Sequence, residues 1–107
     1  MTLETYDRVA AELLAKAREI EIAKRPSYTI GSPDVLANFK RIAERTGLTP
    51  GQILTVYMLK HIDSITAALC NPEIPQAENV EGRFADAVNY LKLGWALIEE
   101  ADEQKAF

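Results

Sequence analysis

The sequence is poor in the residues that build several classes of site. Its 107 residues include one cysteine, Cys70, and one histidine, so an intrachain disulfide is excluded and a structural zinc site lacks ligands. Five glycines and five prolines are too few for a collagen-like or low-complexity chain. We therefore expect one domain over residues 1–107, folded in a reducing compartment.

Excess positive charge and long apolar runs are also missing. Twelve Lys and Arg against sixteen Asp and Glu leave a net charge of −4, which disfavours nonspecific binding to long nucleic acids or anionic membranes. No run approaches the roughly 18 consecutive apolar residues of a membrane helix, and the acidic N-terminus is unlike a signal peptide. The sequence predicts a soluble, cytoplasmic protein with no membrane partner.

Apolar residues recur instead at every third or fourth position, the spacing of amphipathic helices, and no strand alternation is present. A chain of this length buries only about 60–68% of its unfolded surface, so assembly is a plausible source of further burial. The sequence predicts an all-α four-helix bundle that is oligomeric. The four helices are expected over residues 3–24, 32–46, 50–69 and 79–103.

Proline, glycine and capping residues predict the helix ends. Pro26 is expected to end the first helix, ahead of a basic loop over residues 24–31. Ser32, Thr49 and Asn79 are the expected N-caps of the other three helices. Gly47 occupies the position at which a helix C-terminus favours a left-handed residue.

The third predicted helix is apolar nearly all round, which places it at the centre of the domain or at a subunit contact. Its polar residues are therefore informative. Tyr57, Lys60 and Ser64 share one face, with His61 and Asp63 beside them. We expect Lys60 to be partly buried.

The fourth predicted helix carries two apolar stripes on opposite sides. We expect one stripe to face the core and the other to pack against a second copy. The predicted core stripe is Phe84, Val88, Leu91, Trp95 and Ile98, and the predicted assembly stripe is Tyr90, Leu93 and Leu97.

Asp86 belongs to the second stripe, where an unpaired carboxylate would cost several kcal/mol. Lys60, Arg83, a metal ion or a water-filled cleft could each accommodate it. One interpretation is an internal Lys60–Asp86 ion pair, and the other is a ligand site. The ligand site is favoured because the two helices hold more polar groups than one ion pair needs, namely Tyr57, Lys60, His61, Asp63, Ser64, Asp86 and Asn89.

Three blocks of sequence also follow Tyr28 in a familiar order: Asn38–Ala43, Lys60–Ile65 and Gly82–Leu91. Together they resemble short bacteriophage proteins related to the MazG-like all-α nucleotide pyrophosphohydrolases, over about residues 16–98. The resemblance implies a helical, oligomeric, nucleotide-handling protein. Its ligand would lie between helices and often between subunits.

The sequence departs from that family at the metal site. MazG-like enzymes hold Mg²⁺ with a Glu-x-x-Glu pair on one helix and a Glu-x-x-Asp pair on the next. Here the second helix offers only Asp34 and Glu44, and Arg83 stands three residues before Asp86, where the pattern has an acid. A site with fewer acids and more cations favours holding phosphates over cleaving them.

The sequence thus predicts a phage-type protein that sequesters a small phosphorylated nucleotide, linear or cyclic, as a signal of bacterial antiviral defence, in the host cytosol. Tyr28 and Phe39 are the candidates for stacking on the base, although Phe39 is equally suited to the core, and Asn38 or Asn89 are the candidates for reading its edge. The predicted ligand-binding residues are Lys60, Asp86, Asn89, Arg83, Tyr57, Ser64, His61, Tyr28, Asn38 and Arg25.

Two alternatives remain open. The first is a Mg²⁺-dependent nucleoside triphosphate pyrophosphohydrolase with Asp63, Glu81 and Asp86 as metal ligands. The nucleotide-binding prediction itself needs no cofactor. The second alternative is a helical interaction module without a small ligand.

Overall fold

The computed structural model describes residues 1–105 and contains four α-helices and no strand in that range. The all-α prediction is therefore confirmed. α3 and α4 run antiparallel, since Gly51 lies near Leu97 and Gly94 near Leu54. α1 packs against α4 and α2 against α3. The helices are α1 Leu3–Thr29, α2 Ala37–Thr46, α3 Pro50–Cys70 and α4 Val80–Lys105.

Aromatic rings hold α2, α3 and α4 together. Phe39 of α2 is 1% exposed and meets Tyr57 and Tyr90 edge to face, with ring centroids 6.0 and 6.4 Å away. Tyr57 and Tyr90 stack on each other at 6.3 Å. Offset and edge-to-face pairs of this kind add about 0.5–1.5 kcal/mol each beyond the area they bury.

Small residues allow α1 and α4 to approach closely. Ala17 of α1 and Ala85 of α4 are both almost completely buried. The Asn89 Nδ2 group donates a hydrogen bond of 2.8 Å to the Ala17 carbonyl oxygen. This contact fixes α1 against the part of α4 that carries Asp86 and Asn89.

α1 does not end at Pro26, as the sequence suggested, but continues to Thr29. Proline removes one N–H donor from the helix. Pro26 is exposed, so water can replace the lost bond, and the Pro26 carbonyl oxygen accepts a hydrogen bond of 3.1 Å from Ile30 N–H at the helix end. The predicted basic loop is therefore mostly the last turn of α1, which positions Tyr28.

α2 begins five residues later than predicted from Ser32. The Ser32 hydroxyl accepts a hydrogen bond from the Asp34 N–H, and the Asp34 carboxylate accepts one from the Leu36 N–H. These two bonds form a turn before the helix, because short polar side chains compete for backbone donors. Lys40 then joins Asp34 to Glu100 of α4 at 2.6 and 2.8 Å.

The other predicted helix ends are confirmed. Gly47 adopts a left-handed conformation with φ +76° after α2. Thr49 and Gln52 form a capping box at the start of α3. The Asn79 side chain accepts a hydrogen bond from the Gly82 N–H at the start of α4.

The two apolar stripes of α4 do not lie where the sequence suggested: the predicted assembly stripe is in the core, and most of the predicted core stripe is exposed. Tyr90, Leu93 and Leu97 pack into the core of the same chain. Leu91, Trp95 and Ile98 are 62%, 64% and 55% exposed. Both stripes repeat every three or four residues, so the spacing alone could not distinguish them.

α3 is less central than its apolar sequence suggested. Lys60 is exposed rather than partly buried, and Val56, Leu59 and Ile62 are also exposed. Among the described residues, α3 is also the one helix long and apolar enough to cross a membrane by length and composition alone, with a hydropathy of 1.3. Core helices of soluble proteins pass the same test, so this property does not decide where the protein is located.

Candidate ligand-binding site

A cleft of about 220 Å³ lies between α1 and α4. α1 contributes one wall through its last three turns, and α4 contributes the other from Asp86 to Ala96. The apolar part of the cleft is formed by Ile20, Tyr28, Val35, Tyr90, Leu93 and Ala96. An apolar cleft with a few polar groups at its edge is the usual form of a small-molecule site.

Positive charge exceeds negative charge around this cleft, although the whole chain is acidic. Lys24, Arg25 and Lys92 line it together with Glu21 and Asp86. The Glu21 carboxylate lies 2.9 Å from Lys92 and 3.6 Å from Arg25, and it also contacts Arg18. The hydrogen bond from Lys92 is the main reason that the pKa of Glu21 is lowered.

Asp86 pairs with α1 rather than with Lys60. Its Oδ1 atom lies 3.3 Å from Lys24 Nζ, and its Oδ2 atom lies 3.8 Å from Nδ1 of His61. An internal Lys60–Asp86 ion pair is therefore excluded, and the prediction that Lys60 and Asp86 line one cavity is wrong. Lys60 is exposed on α3 and does not line the cleft.

His61 lies behind Asp86, next to the Tyr90 ring at 5.2 Å. Burial lowers the pKa of His61, against the opposing effect of the Asp86 carboxylate. Arg83 lies 3.5 Å from Nδ1 of His61 and forms an ion pair of 3.0 Å with Glu78. His61 thus contacts Asp86, and Arg83 contacts His61, on the α3 side of Asp86. Neither residue lines the cleft.

Asn89 carries the least satisfied polar atom of the cleft lining. The residue is 9% exposed, and its Oδ1 atom has no hydrogen-bond partner among residues 1–105. Since Nδ2 is bound to the Ala17 carbonyl, the side-chain amide is held in one orientation with Oδ1 as the free acceptor. An unsatisfied buried acceptor costs about 1–3 kcal/mol, which a donor that reached this atom would offset.

Two tyrosines meet in the cleft. Burial, together with the neighbouring Tyr28 hydroxyl and the Asp86 carboxylate, raises the pKa of Tyr90 far above its ordinary value. Tyr90 therefore stays a neutral hydroxyl at physiological pH. Its ring forms part of the wall, and its hydroxyl faces Tyr28 of α1.

The remaining predicted ligand-binding residues lie elsewhere. Tyr57 is stacked in the core against Tyr90. The Ser64 hydroxyl donates a hydrogen bond of 3.2 Å to the Lys60 carbonyl of its own helix. Asn38 lies on α2, where its side-chain oxygen accepts a hydrogen bond from Arg41. The structure thus brings only Arg25, Tyr28, Asp86 and Asn89 of the predicted residues into the cleft lining.

The alternative metal ligands do not form a site. Asp63 and Glu81 are exposed, and Asp86 is engaged by Lys24. Within residues 1–105, no group of three His, Cys, Asp or Glu side chains could hold a metal ion. The donor set does not fit the dense carboxylate cluster that binds Mg²⁺ and phosphates together.

Sequence reasoning missed Glu21 and Lys92, which carry much of the charge of the cleft. The spacing of Glu21 to Lys24 and Arg25, three and four residues, is a helical signal that was available. This spacing has no helical meaning if the first helix ends near Pro26, but α1 continues to Thr29. Lys92 contacts Glu21 across two helices, and no local spacing indicates such a contact.

Comparisons with protein-family models, with curated proteins and with solved structures find no match to this chain. The cleft therefore has to be interpreted from its own chemistry.

Proposed function

We propose that this chain binds and sequesters a small phosphorylated nucleotide in the cleft between α1 and α4. The observation that carries the proposal is an apolar, tyrosine-walled cleft with surplus cations at its edge. Asn89 belongs to its lining, and the buried Oδ1 atom of this residue has no hydrogen-bond partner among residues 1–105. A base needs an aromatic or apolar wall and hydrogen-bonding groups, and a phosphate needs cations.

The size of the cleft sets the orientation of the ligand. At about 220 Å³ it is smaller than the roughly 300–1,000 Å³ of pockets that enclose a drug-sized ligand. A single base fits inside, with Tyr28 against its face. The sugar and phosphate then lie at the rim, and a cyclic nucleotide would insert one base only.

The charge at the rim suits phosphate. Lys24, Arg25 and Lys92 outnumber Glu21 and Asp86 by one, and Arg18, which contacts Glu21, adds another positive charge. The lysines and Arg25 are about half exposed, so they can turn towards a phosphate at the rim. Each charge-assisted hydrogen bond formed in this way contributes about 1.5–3 kcal/mol.

The proposal includes the wider setting indicated by the family resemblance. That setting is a MazG-like, oligomeric phage protein in the bacterial cytosol, which withdraws a nucleotide signal of antiviral defence. No feature of the described residues favours the pyrophosphohydrolase alternative, because Asp63 and Glu81 do not converge with Asp86 on a common point.

Isothermal titration calorimetry with nucleoside monophosphates, nucleoside triphosphates and cyclic dinucleotides tests the proposal. We expect saturable binding of at least one class, with the nucleotide recovered intact by chromatography when Mg²⁺ is present. Absence of saturable heat across the panel would refute binding. Release of pyrophosphate from any nucleoside triphosphate would favour the hydrolase alternative.

Two lysines provide a matched pair of variants. Lys24→Ala removes a cation from the rim, and we expect it to weaken binding about tenfold or more, since tenfold corresponds to about 1.4 kcal/mol. Lys60→Ala removes an exposed lysine outside the cleft and should leave the affinity unchanged. If Lys60→Ala weakened binding and Lys24→Ala did not, the binding site would lie on the polar face of α3 instead.

A further inference from the structure

The outward side of the α3–α4 pair is apolar and lacks a cover. We define the outer face as two rows of residues, one on each helix. On α3 they are Thr55, Leu59, Ile62, Thr66 and Leu69, and on α4 they are Phe84, Val88, Leu91, Trp95 and Ile98.

The packing of the other helices places both rows on one side. α1 packs on the side of α4 that carries Asn89, and Leu91 lies about 200° further round that helix. α2 packs on the side of α3 that carries Tyr57, and Leu59 lies about 200° further round. α1 and α2 therefore cover the inner side of the pair, and the two rows face outward together.

The surface of the single chain is too large for its mass. Its accessible area is 7599 Å², whereas a monomer of 11.9 kDa is expected to expose about 5,900 Å². Its radius of gyration is 16.0 Å, against about 13 Å for a compact domain of this length. The excess of about 1,600 Å² exceeds the roughly 800 Å² that each partner buries in a standard interface.

We propose that a second copy of this chain covers the outer face, with α3 and α4 of one copy packed on α3 and α4 of the other around a two-fold axis. Near such an axis each residue meets its own equivalent, so a charge there would face a like charge. Neither row contains a charged residue, although the flanking positions Lys60, Asp63 and Lys92 do. Two copies of the outer face can therefore pack together without bringing like charges into contact.

The other exposed apolar side chains form a narrower surface. Leu3, Tyr6 and Leu14 lie on one side of the first turns of α1, with Asp7 at the border of that side. This is one row on a single helix, whereas the outer face combines two rows on adjacent helices. The outer face therefore offers more apolar area to a second copy.

The solution mass and the emission of the single tryptophan test this proposal together. Trp95 is the one tryptophan of the chain and lies within the outer face. We expect sedimentation equilibrium to give twice 11.9 kDa. Dilution should dissociate the dimer and shift the tryptophan emission to longer wavelength over the same concentration range.

Two substitutions of exposed leucines separate this face from α1. Leu91→Glu should give a monomer with unchanged helicity, and Leu14→Glu should remain a dimer, although the two leucines are 62% and 61% exposed. A monomeric wild type, or dissociation by Leu14→Glu alone, would overturn the proposal. So would a monomer whose emission responds only to phospholipid vesicles, because the face would then bind a membrane. None of these outcomes depends on nucleotide binding.

Discussion

The two sides of α4 differ in chemistry although they share the same apolar spacing. The inner side, with Asp86, Asn89, Tyr90 and Leu93, combines apolar residues with polar groups that have partners on α1 or α3. The outer side, from Phe84 to Ile98, contains no charged residue in its row, and its one polar atom is the indole nitrogen of Trp95. Uniform apolarity marks the uncovered side here, and the mixed side is the one that is packed and holds the cleft.

A polar residue within an apolar stripe can thus indicate the side of a helix that faces the core. Asn89 is buried because its amide satisfies the Ala17 carbonyl, and Asp86 is tolerated because Lys24 and His61 are near. Such groups can be buried only where another helix supplies partners. A uniformly apolar row needs no partner and can be covered by any apolar surface.

The largest expected effect on stability comes from replacing one aromatic residue on each side of α4 with alanine. Tyr90→Ala removes a ring that contacts Phe39, Tyr57 and His61, and should lower the free energy of unfolding by about 3–5 kcal/mol. Trp95→Ala should change it by less than about 0.5 kcal/mol in dilute, monomeric samples. Urea denaturation measures both. Equal losses would mean that the two sides are equally packed.

A second, smaller contrast uses two leucines that are two positions apart in sequence. Leu93→Asp places a carboxylate against the core and the cleft, and should cost roughly 2–4 kcal/mol of stability. Leu91→Asp should leave the thermal stability of the monomer nearly unchanged and remove self-association. If Leu93→Asp instead dissociates a stable, folded protein, the earlier assignment of the Leu93 stripe to assembly was right.

The smallest expected effect concerns pH. Because burial lowers the pKa of His61 below 6.5, the unfolded chain binds this proton more readily than the folded chain. Stability should therefore be complete above pH 6.5 and decrease as the pH falls below it. Asp86, Arg83, Lys24 and Lys60 are the charged groups that act on His61.

The comparison with His61→Gln isolates that contribution. Thermal unfolding of the wild type between pH 7.5 and pH 5 should show a decrease in stability that the variant lacks. The carboxylates with lowered pKa, Glu21 and Asp34, lose their contribution only below about pH 4.5, so they do not interfere. An identical pH dependence in both proteins would contradict the role of His61.

Much of the fold could be predicted from local chemistry. The caps at Gly47, Thr49 and Asn79 depend on neighbouring residues only, and their positions are confirmed. The continuation of α1 through Pro26 could not be predicted, since it depends on whether water reaches the interrupted turn. The choice between the two stripes of α4 depends on the neighbours of that helix, which the spacing does not contain.

The candidate site was also predictable only in part, because local spacing does not contain the contacts between helices. The sequence predicts that the Asp86 carboxylate needs a partner, but Lys24 lies 62 residues away, so spacing does not identify it. The prediction of Lys60 depends on a buried α3, and Lys60 is exposed. The cleft itself forms only where the first helix, α1, packs against the last helix, α4.

An NMR titration of ¹⁵N-labelled protein with nucleoside monophosphates locates the binding site. We expect chemical-shift changes in the side-chain amide of Asn89 and in the backbone amides of Lys24, Arg25 and residues 27–29, with none in the indole of Trp95. Changes centred on Trp95 or on Lys60 and Ser64, with the Asn89 side-chain amide unaffected, would contradict the proposed site.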